Sequence, residues 1–277
     1  MISDFEDKVA VVTGAASGIG AALAEGFAER GMRVVAADID LEGAQSTARR
    51  IGDRALAVRV DVARAESVAE LADAAFDSQG QVDLLINNAG VFQGGLSWER
   101  SVDDWEWTLG VNVYGIIHAI RSFVPRMIAQ GTEGHVVNTA SVAAFVGGAS
   151  SGPYVVSKHA AFSLSESLAH DLAAVGSKIG ASVLTPSAID TRIAHTARVR
   201  PDEYGSDPTP DGKATVESLA SMLSRQGIDP RDVVEPVASA VRSGEFLIPT
   251  KPSYAAQIRN RYDALLERRL PGPSEVD

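Results

Sequence analysis

The stretch from Val9 to Arg30 constrains the fold more than any other part of this chain. Val9 to Val12 is a short apolar run, Thr13 to Gly20 carries Gly14, Gly18 and Gly20, and Ala21 to Arg30 is alanine-rich with helical periodicity. That order reads strand, tight turn, helix. Glycines let the turn take backbone angles that other residues avoid, and they leave the N–H groups at the helix start open to an anion such as a pyrophosphate. The same glycines would also suit a plain strand-to-helix turn, so their meaning depends on the rest of the chain.

The rest of the chain repeats the same unit. Val34 to Ala37 closes on Asp38, Ala55 to Val60 on Asp61, Val82 to Ile86 on Asn87 and Val136 to Thr139 on Ser141, with helical segments at roughly 40–51, 65–79, 102–130 and 153–175 between and after them. Alternating strands and helices predict an α/β fold, a single doubly wound parallel-sheet domain of the Rossmann type over 1–277. Short continuous apolar strands suit a sheet covered on both faces. In such sheets ligands sit beyond the carboxyl ends of the strands, which brings Gly14, Asp38, Asp61, Asn87 and Ser141 to one edge. A sixth strand, Ala181 to Thr185, precedes a segment at about 190–230 in which Pro201, Gly205, Pro208, Pro210 and Gly212 break up two short helical pieces; this reads as a substrate lid. A short strand at Phe246 to Ile248, a helix at about 253–269 and a frayed or assembly-forming tail, Pro271 to Asp277, complete the chain.

Composition narrows the function classes. The formal charge of -11 disfavours nucleic acid and anionic membranes, which call for clustered cations. There is no cysteine, so disulfides and thiolate metal sites are excluded. The five histidines show no metal-ligand spacing, and no metal site is expected. The acidic opening, Met1 to Asp7, is unlike a signal peptide, and no apolar run is long enough for a membrane helix, so a cytoplasmic protein is expected.

Several residues carry chemistry. Asp38 follows Gly20 by 18 residues at the end of the second strand, where a carboxylate accepts hydrogen bonds from the adenosine ribose and repels a 2′-phosphate. With Ala36, Ala37 and Ile39 around it and no cation adjacent in sequence, NAD is expected rather than NADP. Tyr154 and Lys158, four apart on a helix, share a face, and an ammonium near a phenol favours the phenolate that a general base requires. Ser141, 13 residues before Tyr154, can border the same cleft and hold a substrate oxygen. Asn112 lies inside a helix, where an amide is neither a good core residue nor a helix former. Ser141 is not in a Gly-x-Ser-x-Gly elbow, which argues against a hydrolase.

Thr13 to Gly20, Asp61-Val62, Asn87-Asn88-Ala89-Gly90, Asn112, Ser141 and Tyr154-Val155-Val156-Ser157-Lys158, in this order and spacing, resemble the short-chain dehydrogenase/reductase family over residues 7 to about 250. The resemblance implies that Tyr154 is the catalytic acid or base, that Lys158 binds the nicotinamide ribose and lowers the tyrosine pKa, that Ser141 positions the carbonyl or hydroxyl, and that Asn112 supports a proton-relay water. It assigns Gly14, Ser17, Gly18, Ile19, Gly20, Asp38, Asp61, Val62, Asn88, Ala89, Gly90, Pro186, Ile189 and Thr191, together with Tyr154 and Lys158, to the cofactor, with Asp61 and Val62 at the adenine. One departure is Pro186-Ser187, where the family usually has Pro-Gly.

Thr185 to Ile189, Ala197 to Pro201 and Glu203-Tyr204-Gly205 are similar to the Cα-dehydrogenases that oxidise lignin-derived aryl-glycerol β-aryl ethers. That resemblance implies a benzylic secondary alcohol; Phe92, Phe145 and the 190–228 segment are expected to line an apolar substrate pocket, with Ser141 and Tyr154 at the substrate. Family members assemble through their two long helices, so a homodimer or homotetramer is expected. An NADPH-dependent biosynthetic ketoreductase and a non-catalytic dinucleotide-binding regulatory protein are the alternatives. The first is disfavoured by Asp38, and the second by the presence of Asn112, Ser141, Tyr154 and Lys158 together.

Overall fold

Strand β1, Val9–Thr13, is buried along its whole length, as are β4, Leu84–Asn87, and β5, Gly134–Thr139. Strands with no wet face need a layer of helices on each side. The computed structural model, which describes residues 2–205 and 208–272, supplies both layers. The sheet is wholly parallel in the order β3-β2-β1-β4-β5-β6-β7, with β2 at Arg33–Asp38, β3 at Ala55–Arg59, β6 at Ile179–Thr185 and β7 at Leu247–Pro249.

Side chains alternate across β1. Ala10 and Val12 face helix α1, Gly18–Glu29, and helix α8, Val234–Ser243, whose Leu23, Phe27, Val237 and Val241 fill one core. Val9 and Val11 face the other core, built from Leu71 of α3, Ala65–Gln79, Phe123 and Met127 of α5, Gly115–Ala129, and Leu168 of α6, Gly152–Ala174. Helix α2, Leu41–Ile51, packs beside α1.

Helix α4, Val102–Leu109, starts on a reciprocal cap between Ser101 and Asp104 and runs into α5 through one π turn, Gly110–Tyr114, making the expected long helix. Between β6 and α8 the chain forms 3₁₀ pieces at Arg192–Val199 and Asp202–Tyr204 and then α7, Pro210–Gln226. Here the structure corrects the expectation of short helical pieces. Thr209 caps α7 and Pro210 opens it at a position where proline lacks no needed hydrogen bond, so these residues start a 17-residue helix rather than interrupt one. The two ends of this excursion are tied by Asp190 N–H to Ile228 O at 2.9 Å and Ile228 N–H to Ala188 O at 3.1 Å. A Cβ on Gly227 would stand 2.4 Å from Leu223 O and 2.5 Å from Asp190 N, so only glycine admits the closure.

Helix α8 is absent from the sequence reading, although Val234, Val237, Ala238 and Val241 recur at helical spacing and are buried. Pro236 falls in its first turn, where it does no damage. Helix α9, Tyr254–Leu266, follows β7. Of the expected frayed tail, residues 273–277 lie outside the described residues. Among the described residues no helix is long and apolar enough to cross a membrane.

One titratable group is sealed in the sheet. His135 on β5 is fully buried, its Nε2 lies 2.7 Å from Ser182 Oγ, and Nδ1 has no partner. Burial pulls its pKa down from 6.5 to about 4. The unfolded chain therefore binds a proton between those values that the folded chain refuses, so this contribution is complete above the unfolded pKa and fades as pH falls through the window. We expect up to about 3 kcal/mol of acid destabilisation between pH 6.5 and 4 from this residue. Denaturant unfolding of wild type and His135→Gln across that range should show the two curves converging in acid; parallel curves would remove His135 as the cause.

Candidate active site

The strand order reverses at β1, and the cleft opens there at the carboxyl ends of the strands. The β1–α1 turn is pressed against the end of β4. Asn88 N–H and Ala89 N–H donate to Thr13 Oγ1 at 3.0 and 3.1 Å, and Asn88 Nδ2 donates to Thr13 O at 3.1 Å. A Cβ on Gly14, whose φ is +70°, would lie 2.8 Å from Ala89 Cα, and one on Gly20 would lie 2.1 Å from Gly14 O. The glycines are thus required by backbone contact before any ligand is considered.

The cleft, of about 440 Å³, is lined at this end by Gly14, Ser17, Gly18, Ile19, Asp38, Asp61, Val62, Asn88, Ala89 and Gly90, as expected for a cofactor. Helix α1, which begins at the cleft, has no side-chain cap and no acidic residue in its first turn. Its N–H groups and positive helix end are left for an anion. Asp38 accepts from Ala16 N–H and Asp40 N–H, both at 2.9 Å. Burial pushes its carboxyl up from the ordinary value, and the two N–H donors partly oppose this. Deeper in the cleft, Thr139 Oγ1 is buried without a partner. An uncapped helix end, a carboxylate at the end of β2 and an orphaned hydroxyl are what a dinucleotide would complete.

At the chemical end, the end of β5 delivers Ser141 and the first two turns of α6 deliver Tyr154 and Lys158. Ser141 Oγ accepts from Ala143 N–H at 3.1 Å and donates to Pro186 O at 3.4 Å, and it lies close enough to the Tyr154 hydroxyl to lower the phenol's pKa. The Tyr154 ring packs edge-on against Phe92 with centroids 5.1 Å apart, and Lys158 Nζ lies 5.6 Å from its centroid. Lys158 Nζ donates to Thr139 O at 3.0 Å. Burial pushes the Tyr154 phenol up, opposed in part by Ser141, and pulls Lys158 down to about 8. This differs from the expected lowering of the phenol by the ammonium. Both groups are desolvated together, and desolvation disfavours both charged forms. As it stands Tyr154 is a proton donor.

Pro186, Ile189 and Thr191 line the cleft, and Thr191 Cγ2 would be 3.0 Å from a Cβ on Gly18. Ser187 lies in the cleft wall and its N–H donates to Thr250 Oγ1 at 2.9 Å, which fixes the turn that departs from Pro-Gly. Three expected residues stand elsewhere. Gly20 lies beneath the turn rather than in the cleft wall. Phe145 turns into the core and packs on Phe162 at 5.2 Å, leaving Val146 at the cleft. Asn112 sits buried in the π turn behind the wall. Its Oδ1 accepts from Val91 N–H at 2.8 Å, and its Nδ2 donates to Val91 O and Ser157 Oγ, both at 2.9 Å. Ser157 Oγ in turn donates to Tyr154 O at 2.7 Å, so Asn112 holds the start of α6 through Ser157.

Sequence reasoning missed Ser157 and Thr139, whose polar side chains inside apolar surroundings were the available signal. It also missed a cation. Arg198, far from Asp38 in sequence, lines the same cleft and lies near enough for each charge to act on the other. Proximity across a fold leaves no trace in local sequence.

Residues 8–202 match the family model described as short chain dehydrogenase. The chain belongs to this family. A short-chain dehydrogenase/reductase from Burkholderia phymatum, solved in complex with NAD, is 40% identical and superposes with a TM-score of 0.95 over 99% of each chain. The C alpha-dehydrogenase of Sphingobium sp. is 33% identical over 280 residues, covering 100% of this chain and 91% of its own. The 1-deoxy-11-beta-hydroxypentalenate dehydrogenase of Streptomyces exfoliatus is 35% identical over 277 residues, covering 97% and 92%. Both the family resemblance and the likeness to Cα-dehydrogenases are borne out.

Asn112→Ala would remove three hydrogen bonds and leave the Val91 N–H and C=O buried without partners. We expect a loss of about 2–4 kcal/mol in unfolding free energy. A variant unfolding at the wild-type denaturant midpoint would show that Asn112 does not hold α6.

Proposed function

We propose that this short-chain dehydrogenase moves a hydride between NAD and an uncharged, hydrophobic secondary alcohol or ketone, with a benzylic alcohol as the favoured class. The observation that carries the reading is the pairing of Ser141 with Tyr154 in one apolar cleft, with Lys158 Nζ 5.6 Å from the Tyr154 ring centroid and an uncapped helix end lining the same cleft. A non-catalytic dinucleotide binder has no use for that pair. When bound, the cofactor supplies the hydride acceptor or donor.

The chain's own residues do the rest. Ser141 and Tyr154 converge on one substrate oxygen. Toward alcohol, Tyr154 gives its proton to the carbonyl oxygen as hydride arrives at carbon; toward ketone, it takes the hydroxyl proton as hydride leaves. Lys158, held by Thr139 O, stands where it can donate to a ribose hydroxyl and stabilise the phenolate formed in reduction. Asn112 acts by holding the first turn of α6. Asp38 favours NAD because a 2′-phosphate would meet its carboxylate.

The substrate end of the cleft is walled by Phe92, Trp107, Val146, Leu219, Met222 and Leu223, with no charged side chain among them. Two aromatic rings and aliphatic faces suit an aryl alcohol better than a sugar. Residues 190–230 form the lid, and α7 supplies its substrate face. Tyr114 and Val156 on the two long helices are exposed, which supports a homodimer or homotetramer through them, and a chain without cysteine suits a cytoplasmic location.

The test is NADH formation from benzylic and alicyclic secondary alcohols, including aryl-glycerol ethers, with NADP as a parallel substrate. We expect turnover with NAD, and a drop of about 10²–10⁴-fold in Tyr154→Phe with NADH binding retained. NADH binding without turnover of any alcohol or ketone would favour the regulatory alternative.

A further inference from the structure

The excursion between β6 and α8 does two different things. Helix α7 covers the substrate end, but the segment before it, bonded at Thr196 to the backbone of Phe92, runs on from there toward the other end. Thr191 meets the start of α1, where a Cβ on Gly18 would lie 3.0 Å from Thr191 Cγ2. From there the 3₁₀ piece Arg192–Val199 carries Arg192 and Arg198 along the same cleft wall as Asp38 and Ile39. Pro201 and Tyr204 then line the cleft together with Asp61, Val62 and Ala63 at the end of β3, the far end from Tyr154. Tyr204 Oη would lie 3.8 Å from a Cβ on Gly110 of the π turn.

This strap is fastened on both flanks. On the β3 flank, Glu203 pairs with Arg64, which also lies 3.4 Å from Asp61 Oδ2 through its Nε. On the α4 flank, Arg200 Nη1 lies 2.6 Å from Asp104 Oδ1, Arg200 Nη2 donates to Tyr204 O at 2.8 Å, and the guanidinium stacks 5.0 Å from the Trp107 ring centroid. The second fastening is buried, with Asp104 and Arg200 side chains 6% and 8% exposed. The first is a surface pair.

We propose that Tyr204 and Arg198 form the outer wall of the adenosine subsite, so that the end of the strap, from Arg198 to Tyr204, serves the cofactor, while Thr196, bonded to the backbone of Phe92, holds the middle of the strap at the substrate end. The inference rests on the dinucleotide reading above. Asp38 and Asp61-Val62 would form the inner wall; Tyr204 faces them with an aromatic ring and Pro201 with an apolar one. Arg198, on the cleft lining and within electrostatic reach of Asp38, would stand at the ribose end. An adenosine enclosed on both sides leaves only when the strap lifts, and lifting breaks the Arg64–Glu203 pair.

The experiment measures affinity and release of NADH, ADP-ribose and nicotinamide mononucleotide by titration and stopped flow. Tyr204→Ala should weaken ADP-ribose and NADH about tenfold, the scale of one aromatic–base contact, while changing the mononucleotide by less than about twofold. Glu203→Arg, which turns the latch into a like-charge pair, should raise NADH release about threefold to fivefold, and adding Arg64→Glu should restore it. Unchanged ADP-ribose affinity in both variants, or equal losses for ADP-ribose and the mononucleotide, would overturn the proposal and return the strap to the substrate. Wild-type protein that binds none of the three ligands would instead overturn the dinucleotide reading itself.

Discussion

The site depends on one backbone contact, that of the β1–α1 turn with the end of β4. Gly20 lies so close to Gly14 O, and Gly14 to Ala89, that a single methyl at either place would force the segments apart. Thr13 Oγ1 then satisfies two N–H groups of the β4 end, and Asn88 answers the carbonyl of Thr13. Because β1 is the strand where the sheet order reverses, this contact sets the depth of the cleft and the aim of α1. An α1 displaced by even a small Cβ would point its uncapped N–H groups away from the ligand path.

How much of this was legible in sequence depends on the range of each interaction. The strands could be read because burial on both faces leaves continuous apolar runs, and their ends because each run stops at a polar residue on the open edge. Tyr154 and Lys158 could be read because they act four residues apart on one helix. The role of Asn112 could not, since its partners Val91 and Ser157 come from other elements. Phe145 looked like a pocket residue on composition, but one step along the chain separates the cleft, where Val146 lies, from the core. Helix α8 was obscured by Pro236, and α7 by Pro208, Pro210 and Gly212, which read as breakers when counted without their helix position. Arg198 reaches Asp38 only through the path of the folded strap.

The electrostatics of the chemical end make sense only with the cleft's dryness in view. Burial drives Tyr154 up and Lys158 down to about 8, so the phenol is held protonated and the ammonium is held less firmly than in water before any ligand arrives. In the proposed reaction a neutral phenol beside Ser141 would be set to protonate a ketone oxygen. The reverse reaction needs the phenolate, and a nearby ammonium, here that of Lys158, favours that charge. Lys158 is placed for that by Thr139 O, while the neighbouring Thr139 Oγ1 lacks a partner. The protein therefore leaves this corner polar and incomplete, where a bound group can change which protonation states are stable.

The fastening of the lid shows the opposite treatment of buried charge. Arg100, Asp104, Arg200 and Asp211 form a cluster with two cations and two anions, in which Arg100 is fully buried. Such clusters contribute little net stability, because desolvation offsets most of the attraction. Arg100 Nε and Nη1 and Arg200 Nε are even left without hydrogen-bond partners. What the cluster provides is position: Asp104 caps α4 and grips Arg200 of the strap, while Asp211 at the start of α7 grips Arg100 and accepts from Leu96 N–H at 2.7 Å. The two halves of the lid are thereby fixed to the same helix start by different residues. The strap, which brings Arg198 and Tyr204 to the cleft, and α7, which brings Leu219, Met222 and Leu223, can then differ in composition without either losing its anchor.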